Sequence, residues 1–172
     1  MSCGIASVRT LLAVLGIDPP DEQVLIAERL NAMTTQEATR TIERGFSIAD
    51  LGELLAAHGV QAVAVRGQPR QLLSVDRMSI VHLRTRDGEH FAVLQGLRSE
   101  DGRLVLLDPA RGRLALAPYQ FEAEWSGIAL VVVSTRVGSP EIRLDPSRRG
   151  AADTTGALHR MMNPVVNPQV RP

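Results

Sequence analysis

The spacing of apolar residues changes character once along this chain. The run Ile5-Ala6-Ser7-Val8-Arg9-Thr10-Leu11-Leu12-Ala13-Val14-Leu15 favours a helix from about Gly4 to Leu15, stopped at Gly16, a suitable C-cap. Asp18-Pro19-Pro20-Asp21 is a connector carrying a helix start signal. Within Glu22 to Met33, the residues Val24, Leu25, Ile26, Ala27 and Leu30 fall on roughly one helical face. The polar stretch Thr34 to Arg44 reads as a loop or a weak helix. The clearest helix follows: Ser47 as N-cap with Asp50 at the third position, then Leu51, Leu54 and Leu55, and His58-Gly59 at its end.

From there the period shortens. Val60 to Val65 is short, rich in Val and bounded by Gly59 and Gly67. Pro69 to Leu73 reads as a helical turn. Met78 to Thr85, Glu89 to Leu97 and Arg103 to Leu107 read as strands. Hairpin signals at Arg86-Asp87-Gly88 and Ser99-Glu100-Asp101-Gly102 join them. Arg111-Gly112 turns into a strand over Arg113 to Ala117. Pro118 to Trp125 is a short helix or turn, and Gly127 to Ser134 is a last apolar strand. The pattern predicts an α+β domain over residues 1–137, with helices first and an antiparallel sheet of hairpins after them. Residues 138–172 are rich in Pro, Arg, Gly and Asn and lack periodicity, which predicts a mostly disordered tail.

Composition narrows the function. The 172 residues suit one domain with a real core, and 19 basic residues balance 19 acidic ones. A net charge of zero leaves no electrostatic footprint for nucleic acid. Every basic residue is Arg, so lysine-based Schiff-base chemistry is excluded. One cysteine excludes an internal disulfide and a multi-thiolate zinc site. No apolar run reaches membrane-spanning length and no secretory signal is recognisable, which predicts a cytoplasmic protein as the chain is written, or a periplasmic one if a signal sequence precedes it.

The single cysteine then becomes the residue of interest. Cys3 stands at the start of the first helix, where unpaired backbone N–H groups and the positive end of the helix dipole favour a thiolate. His90 lies in Glu89-His90-Phe91-Ala92-Val93-Leu94 and Asp108 in Leu106-Leu107-Asp108-Pro109-Ala110, giving nucleophile, base and orienting carboxylate in the order Cys, His, Asp. Each residue has a plainer reading: a small buried hydrophobe, a core histidine, a turn-initiating Asp-Pro. Pairing of the strand from Glu89 with the strand ending at Leu107 would bring His90 and Asp108 side by side, with the helix start carrying Cys3 facing the sheet edge. His58 is expected to cap a helix, and His82 is expected to be structural or to line the cleft. His159, in the tail, is not expected to act. His82, His90 and Asp108 match no zinc spacing, and neither metal nor cofactor is called for.

Ser2-Cys3-Gly4, Gly45-Phe46-Ser47-Ile48-Ala49-Asp50-Leu51, Glu89-His90-Phe91-Ala92-Val93-Leu94, Asp108-Pro109-Ala110-Arg111-Gly112 and Phe121-Glu122-Ala123-Glu124-Trp125-Ser126-Gly127 together resemble the bacteriocin-processing, double-glycine cysteine peptidases. The match runs in order over about residues 2 to 134. It implies a papain-like fold, N-terminal helices packed on a C-terminal antiparallel sheet, with Cys3 as nucleophile, His90 as general base and Asp108 as orienting carboxylate. It also implies cleavage of a leader peptide after a double-glycine-type site, and an ABC exporter as a possible partner. One departure concerns the glutamine that the family carries shortly before the cysteine, since only Met1 and Ser2 precede Cys3. Losing an oxyanion donor costs about 10²–10³ in rate. A truncated start is the favoured expectation, ahead of a substitute donor or a weakly active or inactive domain that only docks leader peptides.

Overall fold

The computed structural model describes residues 3–135. The segment expected to be a tail, residues 138–172, lies outside the described residues, as do Met1 and Ser2.

Four helices come first: α1 (Cys3–Val14), α2 (Glu22–Asn31), α3 (Thr35–Arg44) and α4 (Ile48–Ala57). In α1 the residues Ile5, Val8, Leu11 and Leu12 make one fully buried stripe. Gly16, at φ 75°, ends it in the left-handed conformation that a side chain resists, and the Ile17 amide closes back on the Leu12 carbonyl at 2.9 Å. The polar stretch from Thr34 proves to be a helix, α3. Its start is a capping box: the Thr34 hydroxyl and amide both donate to the Glu37 carboxylate, at 2.7 and 2.9 Å, and the Glu37 amide donates back. In α4 the same device joins Ser47 to Asp50, whose other oxygen accepts two bonds from Arg29 of α2, at 2.9 and 3.1 Å. That part-buried ion pair fixes α2 against the start of α4.

The rest of the described chain builds the sheet: β1 (Val60–Arg66), α5 (Pro69–Val75), β2 (Ser79–Thr85), β3 (Gly88–Leu97), β4 (Leu104–Asp108), β5 (Gly112–Leu116), α6 (Pro118–Glu124) and β6 (Trp125–Thr135). All neighbours are antiparallel in the order β1-β6-β2-β3-β4-β5, so the last strand is inserted between the first two. Strand alternation then sorts the core into two clusters. Ile80, Val93, Leu130 and Val132 face α1, α2 and α4, while Val81, Ala92, Leu94 and Val131 face α5 and α6. The helix-on-antiparallel-sheet arrangement expected from the sequence is present. Its helices cover both faces, because α5 and α6 fill the links between strands.

Candidate active site

The first turn of α1 lies over β3, the fourth of the six strands in sheet order. The contact is close because Gly4 has no side chain: a Cβ there would stand 3.2 Å from Leu51 and 3.4 Å from the Phe91 ring. One turn on, the fully buried Ser7 hydroxyl donates to the Phe91 carbonyl at 3.0 Å. Two devices, a missing side chain and one hydrogen bond, thus hold the helix start against Phe91 of β3. The placement differs from the expected sheet edge because β4 and β5 extend the sheet beyond β3.

Cys3 is half-buried and lines a cleft of about 460 Å³. Phe46, Ile48, Phe91 and Ile128 supply apolar wall, and Arg44, Ser47, His82 and Glu89 supply polar groups. The Gly45–Ile48 wall is the capped start of α4, so the Ser47–Asp50 capping box also shapes the cleft. His82 lies on the same face of β2, its ring 4.9 Å from that of Phe91 and its Nδ1 2.9 Å from the Ser126 hydroxyl. Burial holds the His82 imidazole below the usual histidine range, against the opposite pull of Glu89, and so keeps it neutral at pH 7.

His90 lies on the far side of Glu89, in a smaller hollow with Gly88, Ala110 and Arg111. Its Nε2–H donates to Asp108 Oδ1 at 2.7 Å, which leaves Nδ1 as the basic nitrogen. Asp108 is fully buried at its side chain, and the turn after β4 closes around it. Oδ1 also accepts the amides of Ala110 and Arg111, at 2.8 and 3.0 Å, and Oδ2 accepts Arg111 Nε at 2.7 Å. Burial works to raise the Asp108 carboxyl, but the bonds from Arg111, His90 and the two amides outweigh it and hold the group below the usual range.

The structure therefore joins His90 to Asp108 directly and puts Cys3 in the adjoining cleft, whose wall includes both sequence neighbours of His90. Among the described residues no hydrogen bond links the Cys3 thiol to His90. His58 closes α4 and its Nε2 bonds Glu28 of α2 at 3.0 Å. No cluster of three or more His, Cys, Asp or Glu among the described residues is arranged to hold a metal ion. Sequence spacing does not single out Arg111 or Glu124; the one local signal for Arg111 is a basic residue three positions after a turn carboxylate.

Solved structures share this architecture. A double glycine motif protease from an AMS/PCAT transporter, in complex with the leader peptide, matches 76% of this chain and 82% of its own at 21% identity and TM-score 0.50. The peptidase domain of Streptococcus ComA, a bi-functional ABC transporter of a quorum sensing pathway, matches 78% and 92% at 18% identity and TM-score 0.57. These likenesses, with the helix layer on an antiparallel sheet, define a papain-like fold. The Peptidase C39 family model matches residues 1–136, and the chain belongs to that family of cysteine peptidases. At the level of sequence it is similar to a probable functional amyloid protease, FapD, of Pseudomonas fluorescens, 32% identical over 84% of this chain and 62% of the relative. The FapD of Pseudomonas aeruginosa is 33% identical over 77% and 56%. The chain thus spans less than two thirds of the length of these curated relatives.

Proposed function

We propose that this cysteine peptidase is an endopeptidase that cuts a leader peptide after a double-glycine-type site, with Cys3 as nucleophile, His90 as general base and Asp108 as orienting carboxylate. The observation that carries the reading is the His90–Asp108 bond of 2.7 Å beside a cleft that exposes the single cysteine. In this scheme the Cys3 sulfur attacks the scissile carbonyl carbon and His90 Nδ1 takes the thiol proton. Collapse of the tetrahedral intermediate breaks the C–N bond, and His90 returns the proton to the leaving amine. Water then attacks the thioester with His90 again as base, releasing the carboxylate and the thiol. Unpaired amides at the α1 start supply donors for the oxyanion. Cys3 and His90 are seated separately, Cys3 in the cleft under α1 and His90 with Asp108 in the hollow beside Arg111, so the scheme requires the two to be brought together around substrate.

The relatives favour one refinement. FapD stands at 32–33% identity, whereas the transporter peptidases stand at 18–21%. The natural substrate is accordingly a precursor in a functional-amyloid export route in preference to a bacteriocin, with an exporter as the membrane partner. No helix among the described residues is long and apolar enough to cross a membrane, so such a partner would supply membrane contact.

The test is cleavage of leader peptides carrying Gly-Gly, Gly-Ala and Leu-Leu at the junction, read by mass spectrometry. Cutting is expected after the second small residue and not after Leu-Leu. Cys3→Ala and His90→Ala should each lower the rate at least ~10³-fold, since nucleophile and base act as a unit. Binding without cutting would transfer the function to a docking domain, and neither would overturn the substrate class.

A further inference from the structure

Arg111 occupies a position that the proposed chemistry does not use directly. Its guanidinium stands between two carboxylates. Nε bonds Asp108 Oδ2 at 2.7 Å, and the two terminal nitrogens form a bidentate pair with Glu124, at 2.9 and 3.2 Å. Glu124 is the last residue of α6, and Phe121 of α6 is fully buried in the core on that face of the sheet. Glu124 is thus a fixed anchor.

We infer that Arg111, held by Glu124, is the positioning residue that keeps the Asp108 carboxylate turned so that Oδ1 accepts the hydrogen bond from His90 Nε2–H. The inference rests on the proposed roles of His90 and Asp108. A carboxylate has two oxygens and a free torsion about the bond that carries it. Oδ1 already takes three donors, from His90 and two amides. Oδ2 has Arg111 alone, so the guanidinium decides whether the plane of the group stays aligned with the imidazole. The planar fork suits this task because one edge can serve Asp108 while the other serves Glu124, a geometry an ammonium group cannot reproduce. The groups facing Asp108 are His90 from β3, the turn amides with Arg111, and Glu124 through Arg111 from α6. Without the guanidinium, burial is opposed only by His90 and the amides, and the carboxyl moves upward.

The experiment uses the full chain with ¹³C-labelled aspartate, following the Asp108 carboxyl by NMR across pH, with Asp108→Asn to assign the signal. In Arg111→Met the Asp108 titration should move up, and kcat/KM for leader cleavage should fall about 10–100-fold with its acid limb shifted upward and KM little changed. Arg111→Lys should restore part of both, and Glu124→Gln should show a smaller shift in the same direction. An unchanged Asp108 titration in folded Arg111→Met overturns the inference. If Arg111→Met fails to fold, Arg111→Lys and Glu124→Gln decide, and wild-type titrations in both would overturn it equally. If the wild-type protein cuts no leader peptide, the functional reading fails, while the NMR titration still reports on the clamp.

Discussion

On the β3–β4 side of the site, one buried carboxylate collects four hydrogen bonds, from His90, Arg111 and two turn amides. On the α1 side, Cys3 is held by the packing of Gly4 on Leu51 and Phe91 and by the single Ser7–Phe91 bond. The proposed base is therefore positioned by charge and donors, and the proposed nucleophile by volume. The two kinds of support fail differently. Polar support is lost when a partner is removed, and steric support is lost when something is added.

The largest effect that tests this contrast is Asp108→Ala. It removes a buried acceptor from Arg111, His90 and two amides and should cost about 2–3 kcal/mol, lowering Tm by roughly 4–12 °C by calorimetry. Cys3→Ala, by contrast, should leave Tm within about 2 °C. Equal losses in the two variants would break the distinction.

Gly4→Val is the matching insult on the steric side. Its branched side chain must displace Leu51 or Phe91, at a cost of about 1–3 kcal/mol, against a small gain in helix propensity. Urea unfolding should register the loss, and cleavage should fall with it because the α1 start is pushed off β3. Wild-type stability would show that the helix start is free to shift. Ser7→Ala comes next, at about 1 kcal/mol for the lost bond to the Phe91 carbonyl, again read by urea unfolding. A neutral result would leave Gly4 as the whole of the anchorage.

The smallest effect is one of pH. Burial lowers the folded His82 pKa below the usual 6.5. In that window the unfolded chain binds the more protons, so stability rises with pH. Its contribution is complete above about 6.5 and is lost as pH falls toward the folded value. The drop in Tm from pH 8 to pH 5.5 should be smaller in His82→Gln than in the wild-type protein, and identical drops would remove His82 from the account.

Much of this architecture is readable from spacing. The stripe of α1, the Ser47 cap of α4 and the Gly-bounded hairpins are local signals, and local signals survive into the fold. α3 is read as a loop or a weak helix because its residues are polar, although Thr34 and Glu37 already spell its capping box. The candidate triad is legible as residue types in order, and the His90–Asp108 contact follows from hairpin pairing. The Arg111–Glu124 fork is not legible, since it joins residues 13 positions apart through the closing of a turn and the docking of a short helix. Nor is strand order, because Val60 pairing with Thr135 depends on which apolar face is left to cover, not on anything near either residue.

The insertion of β6 between β1 and β2 sets the order in which a growing chain can become a peptidase. Val60 to Arg66 leave the ribosome with no neighbour, and their partners, Ile128 to Thr135, emerge some 70 residues later. Until then a strand edge stays open and the ladder that carries His82 lacks one side. Cys3 precedes every strand of the described sheet, yet the sheet beneath α1 closes only with β6. The proposed nucleophile is thus synthesised well ahead of the strand that completes the sheet under it.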